Sequence, residues 1–170
     1  SYISLDGDIG RALARMSGRY TTLEGDRNAY FETCNRNKRG IAVDLKTEEG
    51  RQVVYKLVEQ ADVFIENFRQ GVPERLGMDY ETLKKINPKL IYGSASGYGP
   101  VGPDSARPSL DGCGQARAGL MMSATPPGAE YPGRVAAAPS DQIGGITLCL
   151  GIVSALVARD RLGVGQRVEV

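Results

Sequence analysis

Between residues 41 and 96 the spacing of apolar positions alternates between the period of a strand and that of a helix. Ile41-Ala-Val-Asp-Leu45 is short and rich in branched side chains, which predicts a strand. Val53, Val54, Leu57, Val58 and Ala61 then recur at intervals of three and four, a helical face that Thr47 is placed to cap. Asp62-Val-Phe-Ile-Glu-Asn67 reads as the next strand, and residues 71–77 as a loop with one helical turn. Asp79 caps a short helix with Tyr80, Leu83 and Ile86 on one face, stopped by Asn87-Pro88, and Leu90-Ile-Tyr-Gly-Ser-Ala-Ser96 is a third strand. Strand–helix–strand–helix–strand predicts an α/β fold with a Rossmann-like parallel sheet and flanking helices. Ligands of such a sheet sit outside the carboxyl ends of its strands, here Asp44 and Lys46, residues 66–68, and the glycine loop from Gly97.

From residue 143 to residue 158 the chain carries no charge, which predicts a helix buried on nearly all sides. Ser140 is the expected N-cap, and Asp141 falls in the first turn, where the helix dipole favours a carboxylate. Gly144, Gly145 and Gly151 would let other backbones come close, and Cys149 reads as a small core residue. Asp141 has two readings on this ground: a capping acid, or a carboxylate held at the mouth of a helix and available as a nucleophile. Gly163 and Gly165 end the helix, and Val168-Glu-Val170 starts another strand. Upstream, residues 109–122 predict one small-residue helix with Leu110, Cys113, Ala116 and Leu120 on a face. The first 29 residues are weakly patterned, with a short helix expected over 9–16 and ended by Gly18. Residues 30–40 read as a basic, Asn-rich loop.

Composition narrows the chemistry more than the fold. The 170 residues have a net charge of +1, so no global field points to nucleic acid or a membrane surface. The uncharged run of sixteen residues falls short of a bilayer span. Three cysteines at wide spacing make neither a disulfide framework nor a metal site, and no metal is expected. This usage fits a reducing, cytoplasmic setting. The chain has no histidine, which removes Ser-His-Asp and Cys-His catalysis and His-ligated zinc from its own repertoire. Gly97-Tyr-Gly99-Pro-Val-Gly102 matches the dinucleotide fingerprint in letters only. Pro100 and Pro103 remove amide donors, and no helical pattern follows until residue 109.

Six segments together carry a family resemblance: Asn37-Lys-Arg-Gly-Ile-Ala-Val-Asp-Leu-Lys-Thr-Glu-Glu-Gly50, Asp62-Val-Phe-Ile-Glu-Asn-Phe68, Asn87-Pro-Lys-Leu-Ile91, Gly97-Tyr-Gly-Pro100, Gly114-Gln-Ala-Arg-Ala-Gly-Leu-Met121 and Gly163-Val-Gly-Gln-Arg-Val168. In order and spacing they resemble the family III CoA-transferases, the formyl-CoA transferase and carnitine CoA-transferase (CaiB/BaiF) group. The resemblance covers residues 30–170 and implies the central part of that family's large domain, without its small domain and C-terminal segment. It implies acyl-CoA and carboxylic acid substrates, no permanently bound cofactor, and an interlocked homodimer. Asp141 matches the aspartate that attacks the thioester, which favours its nucleophile reading. Val43, Asp44, Leu45 and Lys46, then Asn67, Phe68, Arg69 and Arg75, match positions that contact CoA, and Arg107 matches a further basic contact more loosely. Met121 and Met122 would line the acyl side, favouring a larger, less polar acid. Two alternatives stay beside this reading. An acyl-CoA racemase of the same fold would need the histidine that the chain lacks, and a non-catalytic CoA-binding module would have no use for Asp141.

Overall fold

Short polar side chains set where several helices begin. The computed structural model describes residues 2–3, 9–11, 15–16, 19–25, 27–136 and 138–170. The chain divides into two units, Ser1–Val53 and Val54–Val170. In the first, β1 (Tyr2–Ile3) is followed by a 3-10 turn at Ile9–Arg11 and an antiparallel pair, β2 (Arg15–Met16) and β3 (Arg19–Tyr20). Helix α1 (Ala29–Cys34) starts at Asn28, whose side-chain oxygen accepts the amides of Tyr30 and Phe31 at 2.9 and 3.1 Å. Strand β4 (Ile41–Ala42) pairs in parallel with β1. Asp44 Oδ1 then accepts the Lys46 amide at 2.9 Å, and Thr47 Oγ1 accepts the Gly50 amide at 3.1 Å to cap α2 (Glu48–Val58). A Cβ on Gly50 would lie 2.0 Å from the Asp44 carbonyl oxygen, so the tight entry requires glycine.

These local bonds revise three expectations. The strand foreseen over 41–45 stops at Ala42, because residues 44–47 are committed to the turn and cap. The loop foreseen over 30–40 begins as helix, because Asn28 caps it. The short helix foreseen over 9–16 is a 3-10 turn and a strand residue pair, while residues 12–14 and Gly18 lie outside the described residues.

The second unit is built on a parallel sheet in the order β5 (Val63–Glu66), β6 (Ile91–Ser94) and β7 (Arg167–Glu169). Between β5 and β6 run α3 (Val72–Leu76) and α4 (Tyr80–Ile86). Asp79 caps α4 through the Thr82 amide at 3.0 Å, as its position foretells. Between β6 and β7 run α5 (Asp111–Arg117), α6 (Leu120–Ser123) and α7 (Pro139–Leu162). Alternation along β6 sends side chains to both faces. Ile91 is buried with Leu148, Ile152 and Ala155 of α7, and Tyr92 stacks on Phe64 and donates its hydroxyl to the Met78 carbonyl at 3.0 Å. A sheet covered on both faces explains why its strands read as apolar runs. No helix starts in the glycine loop at 97–110, in keeping with the rejected dinucleotide motif.

Helix α7 departs most from expectation. Only Leu148, Ile152 and Ala155 are buried, one stripe at spacings of four and three. A second stripe at 146, 150, 153 and 157 faces outward, with Ile146 69% and Leu150 67% exposed. The absence of charge therefore records two apolar faces, of which this chain covers one. Cys149 is exposed rather than in the core. Gly151 does permit a close approach, its Cβ direction meeting Val168 at 2.6 Å, whereas Gly144 and Gly145 face open space among the described residues. With 24 residues the helix is longer than the uncharged run, long and apolar enough by length and composition to cross a bilayer. Its buried stripe instead packs on the sheet.

Candidate functional site

Helix α7 runs antiparallel to the strands, so its first turn lies toward their carboxyl ends. Ile152 meets Gly93 in mid-strand, and Arg159 hydrogen-bonds Asp62 and the Lys89 carbonyl below the strand starts. Asp141, eleven residues before Ile152, therefore stands roughly 16 Å along the helix axis on the carboxyl-end side. The same side holds a cleft of about 400 Å³ bordered by Glu66, Ser94 and Glu169, the last residues of the three strands. A ligand-binding α/β protein keeps its sites there.

The start of α7 is not capped as the sequence suggests. The N-cap is Ala138, in the left-handed region at φ 51° and ψ 58°, with Pro139 at the first helical position. Ser140 lies inside the helix, and its amide is bound by Asp111 Oδ1 at 2.9 Å. Asp111 is 4% exposed, and its other oxygen accepts from Gln115 at 2.6 Å and from Arg134 at 3.1 Å. Gln115, fully buried, also donates to the Val135 carbonyl and accepts the Val135 amide, both at 2.9 Å. Three pieces of chain are thus tied together: α5, residues 134–135 and the first turn of α7. Gly114 allows the contact, since a Cβ there would sit 2.8 Å from the Ser140 Cβ.

The electrostatics follow from that geometry. Burial opposes the charge of Asp111, but hydrogen bonds from Arg134, Gln115 and the Ser140 and Asp141 amides outweigh it and hold the carboxyl below the usual aspartate range. Asp141, exposed by area, is pushed the other way. Partial desolvation of its carboxyl and then the charge of Asp111 raise its pKa, with Arg134 opposing. The expectation that the helix terminus favours ionisation of Asp141 is opposed first by this partial desolvation and then by Asp111, whose carboxylate already binds the amide of Ser140 at that end. The Ser140 amide is likewise committed to Asp111, and does not stand free to receive an oxyanion.

The sequence-predicted residues other than Asp141 are spread over several places. Phe68 and Arg69 line the cleft at the strand ends, where the Phe68 amide is bound by buried Glu66 at 2.7 Å. Asn67 and Arg75 are exposed and do not line it. Val43, Asp44, Leu45 and Lys46 belong to the first unit; Leu45 is buried, Val43 half-buried, and Asp44 and Lys46 exposed. Arg107 pairs with Asp104 at 3.0 Å, and Arg117 binds the same carboxylate at 2.5 Å. The single helix foreseen over 109–122 is two, broken at Gly119 with φ 75°. Its expected apolar face is open, Leu110 and Cys113 being exposed, and the buried pair is polar. Sequence reading missed Asp111, Gln115 and Arg134. The first two stand four apart, a helical spacing that could have drawn notice, but nothing local marks Arg134.

Comparison with known proteins gives the family of the chain. The profile of CoA-transferase family III matches residues 4–170. The chain is 45% identical over 152 residues to the acetyl-CoA:oxalate CoA-transferase of Acetobacter aceti, covering 89% of this chain and 39% of that protein. It is 40% identical over 141 residues to the succinate–glutarate CoA-transferase of Agrobacterium fabrum, covering 83% of this chain and 35% of that one. A CAIB/BAIF family protein from Brucella suis has a TM-score of 0.88 at 41% identity, over 98% of this chain and 43% of that chain. The chain belongs to CoA-transferase family III. It spans about two-fifths of the length of these relatives.

Proposed function

We propose that this chain carries the nucleophile of an enzyme that moves CoA from an acyl-CoA donor to a carboxylic acid acceptor through a covalent intermediate on Asp141. The observation that supports it is an exposed carboxylate in the first turn of α7, on the carboxyl-end side of a parallel sheet in a family III chain. A carboxylate oxygen of Asp141 adds to the thioester carbonyl, the C–S bond breaks, and CoA leaves as thiolate with a mixed anhydride behind. The thiolate attacks the aspartyl carbonyl, giving an aspartyl thioester and releasing the donor's acid. The acceptor carboxylate then displaces CoA as a new mixed anhydride, and the thiolate takes the acceptor's acyl group and frees Asp141. Electrons and atoms balance without water, metal or redox cofactor.

Phe68 and Arg69 in the cleft, with Asn67 and Arg75 near it in sequence, are proposed CoA contacts, and so are Val43, Asp44, Leu45 and Lys46 in the first unit. The outward apolar stripe of α7 supports assembly as an interlocked homodimer, and the cysteine usage supports a cytoplasmic setting. The relatives' names point to acids from oxalate to glutarate, so the donor panel spans these and a branched acyl-CoA.

The test uses the full-length chain that carries this sequence. Donors are supplied singly, the intermediate is trapped with hydroxylamine, and the modified peptide is located by mass spectrometry. A hydroxamate on Asp141, absent in Asp141→Asn, is expected with at least one donor. CoA binding with no adduct from any donor returns the chain to a binding module or to a racemase-like chemistry.

A further inference from the structure

Asp111 is a buried charge that the proposed chemistry does not use. Its carboxylate accepts bonds from three separate pieces of chain, at 2.6, 2.9 and 3.1 Å, and touches the amide of the residue next to Asp141. The turn it closes holds Ala138 in a left-handed conformation, which a residue with a Cβ adopts at a cost of about 1–3 kcal/mol. Such a turn persists only where its surroundings over-determine it. Here they do, with Gln115 gripping Val135 in both directions on one side and Asp111 gripping Ser140 on the other.

From this clamp we infer that Asp111 is a positioning residue for Asp141: tied to Arg134, Gln115 and the Ser140 amide, it fixes the first turn of α7 that carries the attacking carboxylate. The inference rests on the reading of Asp141 as nucleophile. Charged groups reach Asp141 from two packed elements, the Asp111 carboxylate from α5 and the Arg134 guanidinium from the segment before α7, and they act with opposite sign. Arg134 is 62% exposed, so it binds Asp111 while its remaining donors face solvent. A bare carboxylate at a helix start would be held ionised and weakly basic. Neutralising that helix end with Asp111 leaves Asp141 a stronger base, and a better nucleophile once ionised. Arg134 limits the effect.

The experiment compares kcat and KM against pH for the full-length wild type, Asp111→Asn and Arg134→Gln. Asp111→Asn removes the like charge, so the acid limb of kcat moves to lower pH. Arg134→Gln removes the opposing charge, so the limb moves to higher pH. For Asp111→Asn, kcat falls about ten- to a hundred-fold as the first turn loosens, while KM for the acyl-CoA donor stays within about twofold. Damage to packing alone lowers the folded fraction and cannot move two limbs in opposite directions. If Asp111→Asn fails to fold, exposed Arg134→Gln still decides, since an unmoved limb overturns the inference and a limb at higher pH upholds it. A wild type that forms the Asp141 hydroxamate while both variants keep its acid limb overturns the role of Asp111 alone. A wild type with no adduct at Asp141 overturns the underlying reading instead.

Discussion

The two ends of α7 are held by opposite strategies. At the C-terminal end the cap is local: Gly163 takes the left-handed conformation at φ 76° and returns its amide to the Arg159 carbonyl at 2.7 Å. At the N-terminal end the cap comes from 29 residues away, as Asp111 of α5 binds the Ser140 amide. The left-handed residue there is an alanine, which lacks the freedom that makes glycine the default at such a position. One end simply stops a helix. The other holds a strained turn in place through a buried carboxylate, and it is the end that carries Asp141. Structure stabilised from afar tolerates strain that a local cap would release, and such strain concentrates at functional positions.

That contrast is broken most severely at the α5–α7 contact. Gly114→Val would put its Cβ 2.8 Å from the Ser140 Cβ and 2.9 Å from its Oγ, so the two helices would have to shift apart. The expected loss is about 2–3 kcal/mol, read by denaturant unfolding, together with loss of protection at the Ser140 amide in hydrogen exchange. A variant as stable as the wild type would mean that the two helices part without consequence. The local end should respond less. Gly163→Ala forces a Cβ into the left-handed region and should cost about 1 kcal/mol by the same measurement, with exchange at α7's first turn unchanged.

The same division explains what the sequence makes legible. The caps at Thr47 and Asp79, the stop at Gly163 and the strand after it all depend on residues within a turn of each other, and each stands where the pattern puts it. So does the parallel sheet, whose strands announce themselves by length and branched side chains. The cap on α7 is invisible by that route, because Ser140 looks like an N-cap and its true partner lies beyond two helices and a long loop. The uncharged run was misleading for a different reason. Apolar character does not say which face is covered, and this chain covers only the 148–152–155 stripe. Asp141 is singled out by the resemblance, but the direction of its pKa shift comes from partial desolvation and from Asp111, opposed by Arg134, which only the folded chain brings to it.

The smallest effect is the sharpest test of that sign. If the helix dipole governed Asp141, its charge would stabilise the fold, and Asp141→Asn would weaken it. If partial burial and Asp111 govern it, the folded-state pKa lies above the unfolded value. The associated stability is then fully present below the unfolded aspartate value, about pH 3.9, and is lost as pH rises through the folded one. At pH 7 the ionised Asp141 is then a net cost, and Asp141→Asn should be slightly more stable than the wild type, by under about 0.5 kcal/mol. The gap should close as the solution is acidified past the aspartate range. Thermal unfolding of both proteins at pH 7 and near pH 3 reads the sign directly. A less stable variant at pH 7 would return the site to the dipole, whereas a more stable one would identify Asp141 as a group kept for chemistry at the expense of the fold.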